Sequence, residues 1–276
     1  MNQVSNSIPT VPADRLKFLS TEEMIEVDRL MTDVLKIELM QMMENAGRNL
    51  ARLCVQRFLQ TSESKHVVVL AGTGGNGGGA LVAARRLHQW GFDVMVLTSK
   101  LAESYTGVPA HQLGILKRLG IEPIEPDVLS DFAIRDLDMI PDLIVDGLIG
   151  YSLHGNPRGR IAALIEWANN IECPILALDT PSGIDVTTGK AGNPVVDATA
   201  TLTLALPKQG LISPEAAPLV GELYLGDIGV PDWVYREMGI EFNIGSLFQD
   251  SDILQVDLKK TAESNQSFEL GPPNKT

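Results

Sequence analysis

Residues 66–81 read HVVVLAGTGGNGGGAL. The β-branched run at the start reads as a strand, and GALVAARRLHQWG after it as a helix ended by Gly91. Between the two lies a G-x-G-x-x-G at Gly72, Gly74 and Gly77. A dinucleotide fingerprint also needs an acidic residue about twenty positions on, to hold ribose hydroxyls. Here the second strand ends in VLTSK, so Ser99 and Lys100 stand in that place; Lys100 would suit a phosphorylated ribose. The run carries six glycines among the eight residues 72–79, more than a dinucleotide turn requires. Such density points to close backbone approach to a ligand, with several N–H groups aimed at it. The competing reading is a tight strand-to-helix turn that binds nothing.

The alternation continues outward from this stretch. DVMVLTS, PDLIVDGLIG, CPILALDTPSG, ATLTLALP and GELYLGDIG read as strands, and PAHQLGILKRLG and GRIAALIEWANN as helices. Strands that are apolar throughout belong to a sheet covered on both faces. Their alternation with helices makes the sheet mostly parallel, with right-handed crossovers. The expected fold is a Rossmann-like three-layer α/β/α sandwich. Upstream, Ser20 and Glu23 have capping-box spacing at the start of a helix. IELMQMMENAGRNLARLCVQRFLQ forms a second helix, whose Met-rich stripe reads as core packing or, failing that, a partner surface. Residues 1–16 read as a flexible arm, 17–245 as the folded domain and 246–276 as a polar, disordered tail.

Composition narrows the function. A net charge of −13 over 276 residues, without clustered Lys and Arg, argues against a nucleic-acid surface. No run of about 18 apolar residues and no leader pattern occurs, so a cytoplasmic protein without a membrane span is expected. Cys54 and Cys173 read as free thiols. Four separated histidines and no paired Cys motif argue against zinc.

Three strands end in chemistry-bearing residues. The first runs into Asn76, the third ends at Asp146 in VDGLIG, and the fourth runs into LDTPSGID with Asp179 and Ser182. In a parallel sheet these ends share one crevice. One strand-end Asp usually caps a turn; two beside a glycine loop point to a site. Asn, Asp and Ser oxygens form a hard-cation set, and one carboxylate among neutral oxygens suits a monovalent ion. His154 in the following loop is either an acid/base group or a solvated side chain, the latter being the commoner case.

MMENAG at 42–47, GTGGNGGGALVAARRL at 72–87, VDGLIG at 145–150 and LDTPSGIDVTTG at 178–189 together resemble the NAD(P)H-hydrate epimerase family, the YjeF N-terminal domain. ALPKQGL at 205–211 and GELYLGDIGVP at 221–231 extend the resemblance, which covers roughly residues 18–240. It implies interconversion of the R and S epimers of hydrated NADH or NADPH, with Asp179 as the acid/base group. It implies a potassium ion held by Asn76, Asp146 and Ser182. Substrate contacts are implied at Gly75, Asn76, Gly77, Gly78 and Gly79, at Asp179, and along Gly150, Tyr151, Ser152, Leu153, His154, Gly155 and Asn156. A homodimer and a separate NAD(P)H-hydrate dehydratase as pathway partner are further implications. The family loop reads G-x-G-N-N-G-G-D-G, and here Gly75 replaces its first Asn and Gly79 its Asp. The missing carboxylate is expected to slow catalysis, and the alternative is a non-catalytic nucleotide- or protein-binding module on the same fold. An ordinary NADP-dependent oxidoreductase ranks last, because no Tyr-x-x-x-Lys accompanies the glycines.

Overall fold

The computed structural model describes residues 8–60, 66–126, 140–153 and 155–258. Two apolar side-chain sets alternate along each central strand. In β2 (His66–Ala71), Val67, Val69 and Ala71 enter one core while Val68 and Leu70 enter another. A strand with both faces buried needs helices on both sides. On the first face lie α1 (Thr21–Arg29), α2 (Leu39–Leu53), α3 (Gly75–Gln89) and α4 (Gly107–Arg118). On the other face lies α5 (Gly159–Asn170), through Leu164, Ile165, Trp167 and Ala168.

The remaining central strands are β3 (Asp93–Thr98), β4 (Leu143–Gly147), β5 (Ile175–Leu178), β8 (Ala200–Leu204) and β9 (Glu222–Gly226). A hairpin of β6 (Ile184–Asp185) and β7 (Lys190–Ala191) stands apart. With β1 (Thr10–Pro12) and β10 (Ile253–Asp257), the main sheet has the order β1-β10-β9-β8-β5-β4-β2-β3. All neighbours are parallel except β10 against β9. The chain runs from β2 out to β3, then returns to β4 on the other side of β2. That reversal opens a crevice beyond the carboxyl ends of β2 and β4, where ligands sit in such sheets.

Two expectations need correction. Thr10–Pro12 and Ile253–Asp257, assigned from sequence to the loose arm and tail, are paired strands at the sheet edge. Val11, Ile253, Leu254 and Val256 are buried there, which outweighs the polar surroundings of both segments. Residues 1–7 and 259–276 lie outside the described residues. The Ser20 capping box forms as expected, with the Ser20 side chain accepting from Glu23 N and the Glu23 carboxylate accepting from Ser20 N.

Candidate active site

The glycine run has two jobs. At Gly72 a Cβ would lie 1.9 Å from Leu148 O, and at Gly77 1.8 Å from Gly72 O, so backbone crosses backbone at both. Gly74 meets nothing within 4 Å and Gly75 only Met43 near that limit; both face a cavity of about 450 Å³. No side chain caps α3 at Gly74, so the first N–H groups of that helix, beside the cavity-lining Gly74, Gly75 and Asn76, have no side-chain partner. The run is therefore partly the packing turn and partly the ligand loop.

Gly77, Gly78 and Gly79 do not line the cavity. They are buried in the first turns of α3, where a Cβ on Gly79 would lie 2.8 Å from Leu178 Cδ2 and 3.7 Å from Ala46 Cβ. Position 79 thus faces apolar packing, and the expectation that its missing carboxylate slows catalysis lacks a geometric basis. Of the loop after β4, Gly150, Tyr151 and Ser152 line the cavity. Gly150 is close to Asn76, with a Cβ there only 2.7 Å from Asn76 Oδ1. Leu153, Gly155 and Asn156 lie outside the lining, and Asn156 Oδ1 accepts from Asn193 N (3.1 Å). His154 is not among the described residues.

Ser182 and Asn76 converge on the backbone of Ile149, and Asp146 joins them through Ser182. Asp146 is fully buried, and its carboxylate accepts from Leu148 N (3.1 Å), Ser182 N (2.8 Å) and Ser182 Oγ (2.7 Å). Ser182 Oγ accepts in turn from Ile149 N (2.8 Å). The Asn76 amide donates to Leu178 O (2.6 Å) and Ile149 O (3.3 Å). Burial raises the Asp146 carboxyl above its ordinary range, against the lowering effect of these donors. Among the described residues no cationic side chain pairs with it. The carboxylate is thus held by two backbone N–H groups and a hydroxyl, with the Asn76 amide linked to that hydroxyl through Ile149; oxygens of this kind are hard-cation donors.

Asp179 follows β5 with φ +67°, a left-handed conformation that a non-glycine residue adopts at a cost of about 1–3 kcal/mol. Its N–H donates to Leu202 O (2.7 Å), and Leu204 N donates to its Oδ1 (3.3 Å). Lys208 Nζ donates to the same oxygen and to Leu204 O (2.9 Å). Lys208 is 1% exposed and Asp179 4%, so this ion pair is held out of bulk water at the cavity wall. Asp28, on α1, lines the same cavity, and the Tyr151 hydroxyl donates to Asp28 Oδ2 (2.5 Å). Burial raises the Asp28 carboxyl, with the Tyr151 bond opposing it; burial and that bond both raise the Tyr151 phenol.

Sequence reasoning left out Lys208 and Asp28. Lys208 closely follows an apolar strand, where Asp146 and Asp179 had been noticed. Asp28 stands four residues after buried Met24 and three before buried Met31, so it falls on the apolar stripe of its helix. A carboxylate in that position was a readable signal. The Met stripe of α2 is core: Met42 and Met43 are buried, and their side chains also line the cavity.

Fold and site together define an α/β protein with a ligand crevice at the switch point of its sheet, walled by glycine backbone and paired titratable groups. A family model described as YjeF-related protein N-terminus matches residues 39–210, and the chain belongs to that family. It is 41% identical over 221 residues to an NAD(P)H-hydrate epimerase of Dehalogenimonas lykanthroporepellens, covering 79% of this chain and 84% of that protein. It is 32% identical over 214 residues to the bifunctional NAD(P)H-hydrate repair enzyme Nnr of Moorella thermoacetica, covering 77% of this chain and 40% of that longer protein. The crystal structure of the yeast protein ynu0 superposes with a TM-score of 0.71 at 26% identity, covering 87% of this chain and all of that one.

Proposed function

We propose that this protein is an NAD(P)H-hydrate epimerase, interconverting the R and S forms of NADH or NADPH hydrated at C6 of the nicotinamide ring. The observation that carries the reading is Asp179, kept in a strained backbone conformation and paired with buried Lys208 at a cavity bordered by the open N-terminus of α3. The likeness to a curated NAD(P)H-hydrate epimerase supports it. Nothing in the comparisons favours a non-catalytic module.

Inversion at C6 by loss and return of water starts when a proton moves onto the departing hydroxyl. The C6–O bond breaks, water leaves, and the ring nitrogen lone pair forms an N1=C6 iminium. Water then adds to the other face and gives up a proton, so the balance closes. Asp179, held by Lys208 at the cavity wall, accepts that proton and returns it in the reverse direction. The free N–H groups of α3 and the exposed Gly74 and Gly75 backbone receive the anionic pyrophosphate.

Asn76, Asp146 and Ser182 would hold a potassium ion. It would supply positive charge against the buried carboxylate and fix the loop after β4. Exposed Ile25 on α1, Val34 between the helices and Leu39 at the start of α2 support a homodimer through that surface. The two free cysteines fit the reducing cytoplasm, and no helix among the described residues is long and apolar enough to cross a membrane. The longer bifunctional relative supports a separate dehydratase as the pathway partner.

The test mixes purified protein with each epimer and follows their interconversion by chromatography. The native protein is expected to equilibrate them. Asp179→Asn, which tolerates the left-handed backbone, is expected to slow the reaction about 10²–10⁴-fold. No interconversion by the native protein would sink the reading.

A further inference from the structure

An epimerisation by departure and return of water moves protons on both faces of the ring. Asp179 supplies one proton-transfer group, and the cavity holds a second set of titratable side chains that this role leaves unused. Tyr151 follows Gly150 in the loop after β4, and Asp28 comes from α1, more than a hundred residues earlier. Their side chains meet at 2.5 Å inside the cavity that Asp179 and Lys208 also line. Met24, Leu39 and Met42 make the adjoining wall apolar, so the pair is partly shielded from bulk water.

The structural alternative is that Asp28 merely ties α1 to the loop. Such a tie needs no position on the cavity lining, and surface pairs elsewhere on the protein do that work; Arg57 with Glu222 is one. A half-buried phenol and carboxylate both open to the cavity match the general acid–base requirement for groups within hydrogen-bond reach of the substrate. We propose that Tyr151 is a second catalytic residue, exchanging the proton at the ring face that Asp179 does not serve, with Asp28 as its positioning residue and proton reservoir. In one direction, with Asp28 as the carboxylic acid, the Tyr151 hydroxyl gives its proton to the departing C6 hydroxyl as the C6–O bond breaks, and recovers one from Asp28, which is left ionised. In the other direction it takes a proton from the adding water and returns one to Asp28. The charges facing this pair are Lys208 and Asp179, which act on it in opposite senses.

The inference rests on the epimerase reading, and the experiment separates the two. Native protein, Tyr151→Phe, Asp28→Asn and the double variant are assayed with the S and R epimers of hydrated NADH, with thermal melts alongside. Tyr151→Phe removes one oxygen and is expected to lower kcat about 10²–10⁴-fold with KM close to native. Asp28→Asn is expected to lower kcat as well. The double variant should be no slower than Tyr151→Phe, because residues that act as a unit are non-additive. A merely structural tie would raise KM or lower the melting temperature and leave kcat. Native-like kcat in a folded Tyr151→Phe would overturn the proposal while the epimerase reading stands. If Tyr151→Phe does not fold, native-like kcat in Asp28→Asn overturns it instead. An inactive native protein overturns both.

Discussion

Asp179 and Lys208 show how one buried charge depends on another. Desolvating two ions costs several kcal/mol each, and close pairing offsets that cost only while both partners are present. Lys208 also donates to Leu204 O, so its ammonium ties β8 to the residue after β5. Lys208→Met keeps the stem but leaves Asp179 buried without its partner. The expected loss is about 3–5 kcal/mol, read as a lower midpoint in urea denaturation. Adding Asp179→Asn to it should restore much of that loss, since the carboxylate no longer needs a counter-charge. A single Lys208→Met variant as stable as native would show that Asp179 is already satisfied by Leu204 N.

The packing of α2 on α3 rests on one missing side chain. A Cβ on Gly47 would lie 2.4 Å from Val82 Cβ and 2.5 Å from Gly79 O, and the backbone oxygen cannot swing aside. Alanine improves intrinsic helix propensity by about 0.8–1.0 kcal/mol over glycine. Overpacking of this severity costs about 1–3 kcal/mol and forces the helices apart. Gly47→Ala is therefore expected to lower the melting temperature despite the better helix former. It should also slow epimerisation, because α2 carries Met42 and Met43 and α3 carries Gly75 and Asn76 at the cavity. A melting temperature at or above native would show that the crossing has slack. At this scale the sequence was most legible. Period-two and period-3.6 patterns, the Ser20 cap and helix-ending Gly91 mark local preferences, and the elements follow them. The edge strands escaped because Thr10–Pro12 is three residues long and includes a proline. Its pairing is purely long-range, as is that of Ile253–Asp257. Within the site, strand-end Asp146 and Asp179 were visible for the same local reason. The facing of Tyr151 with Asp28, and the inward turn of Gly79, depend on how distant elements pack.

At the scale of the whole molecule, the proposed cation would act through Asp146. Burial lifts its native carboxyl above the unfolded value of about 3.9, so ionising it opposes folding. That cost is absent below the unfolded value and complete above the raised native one. A cation beside the carboxylate removes it. Potassium is therefore expected to raise the melting temperature more than lithium at equal ionic strength near neutral pH. The difference should shrink as pH falls through the native Asp146 value. Equal melting temperatures in the two salts, with Asp146→Ala indifferent to both, would count against the ion. The sheet edge carries a different consequence. Val11 of β1 pairs with Val256 of β10, and β10 is the strand that joins β1 to the rest of the sheet. A chain emerging at about 5–20 residues per second leaves β1 waiting on the order of 12–50 s for its partner. From its own synthesis until β10 arrives, β9 likewise presents an open edge, the kind of surface on which nascent chains pair with one another. Slow or stalled synthesis between β9 and β10 should thus be more harmful to the yield of folded protein than an equal pause before β9.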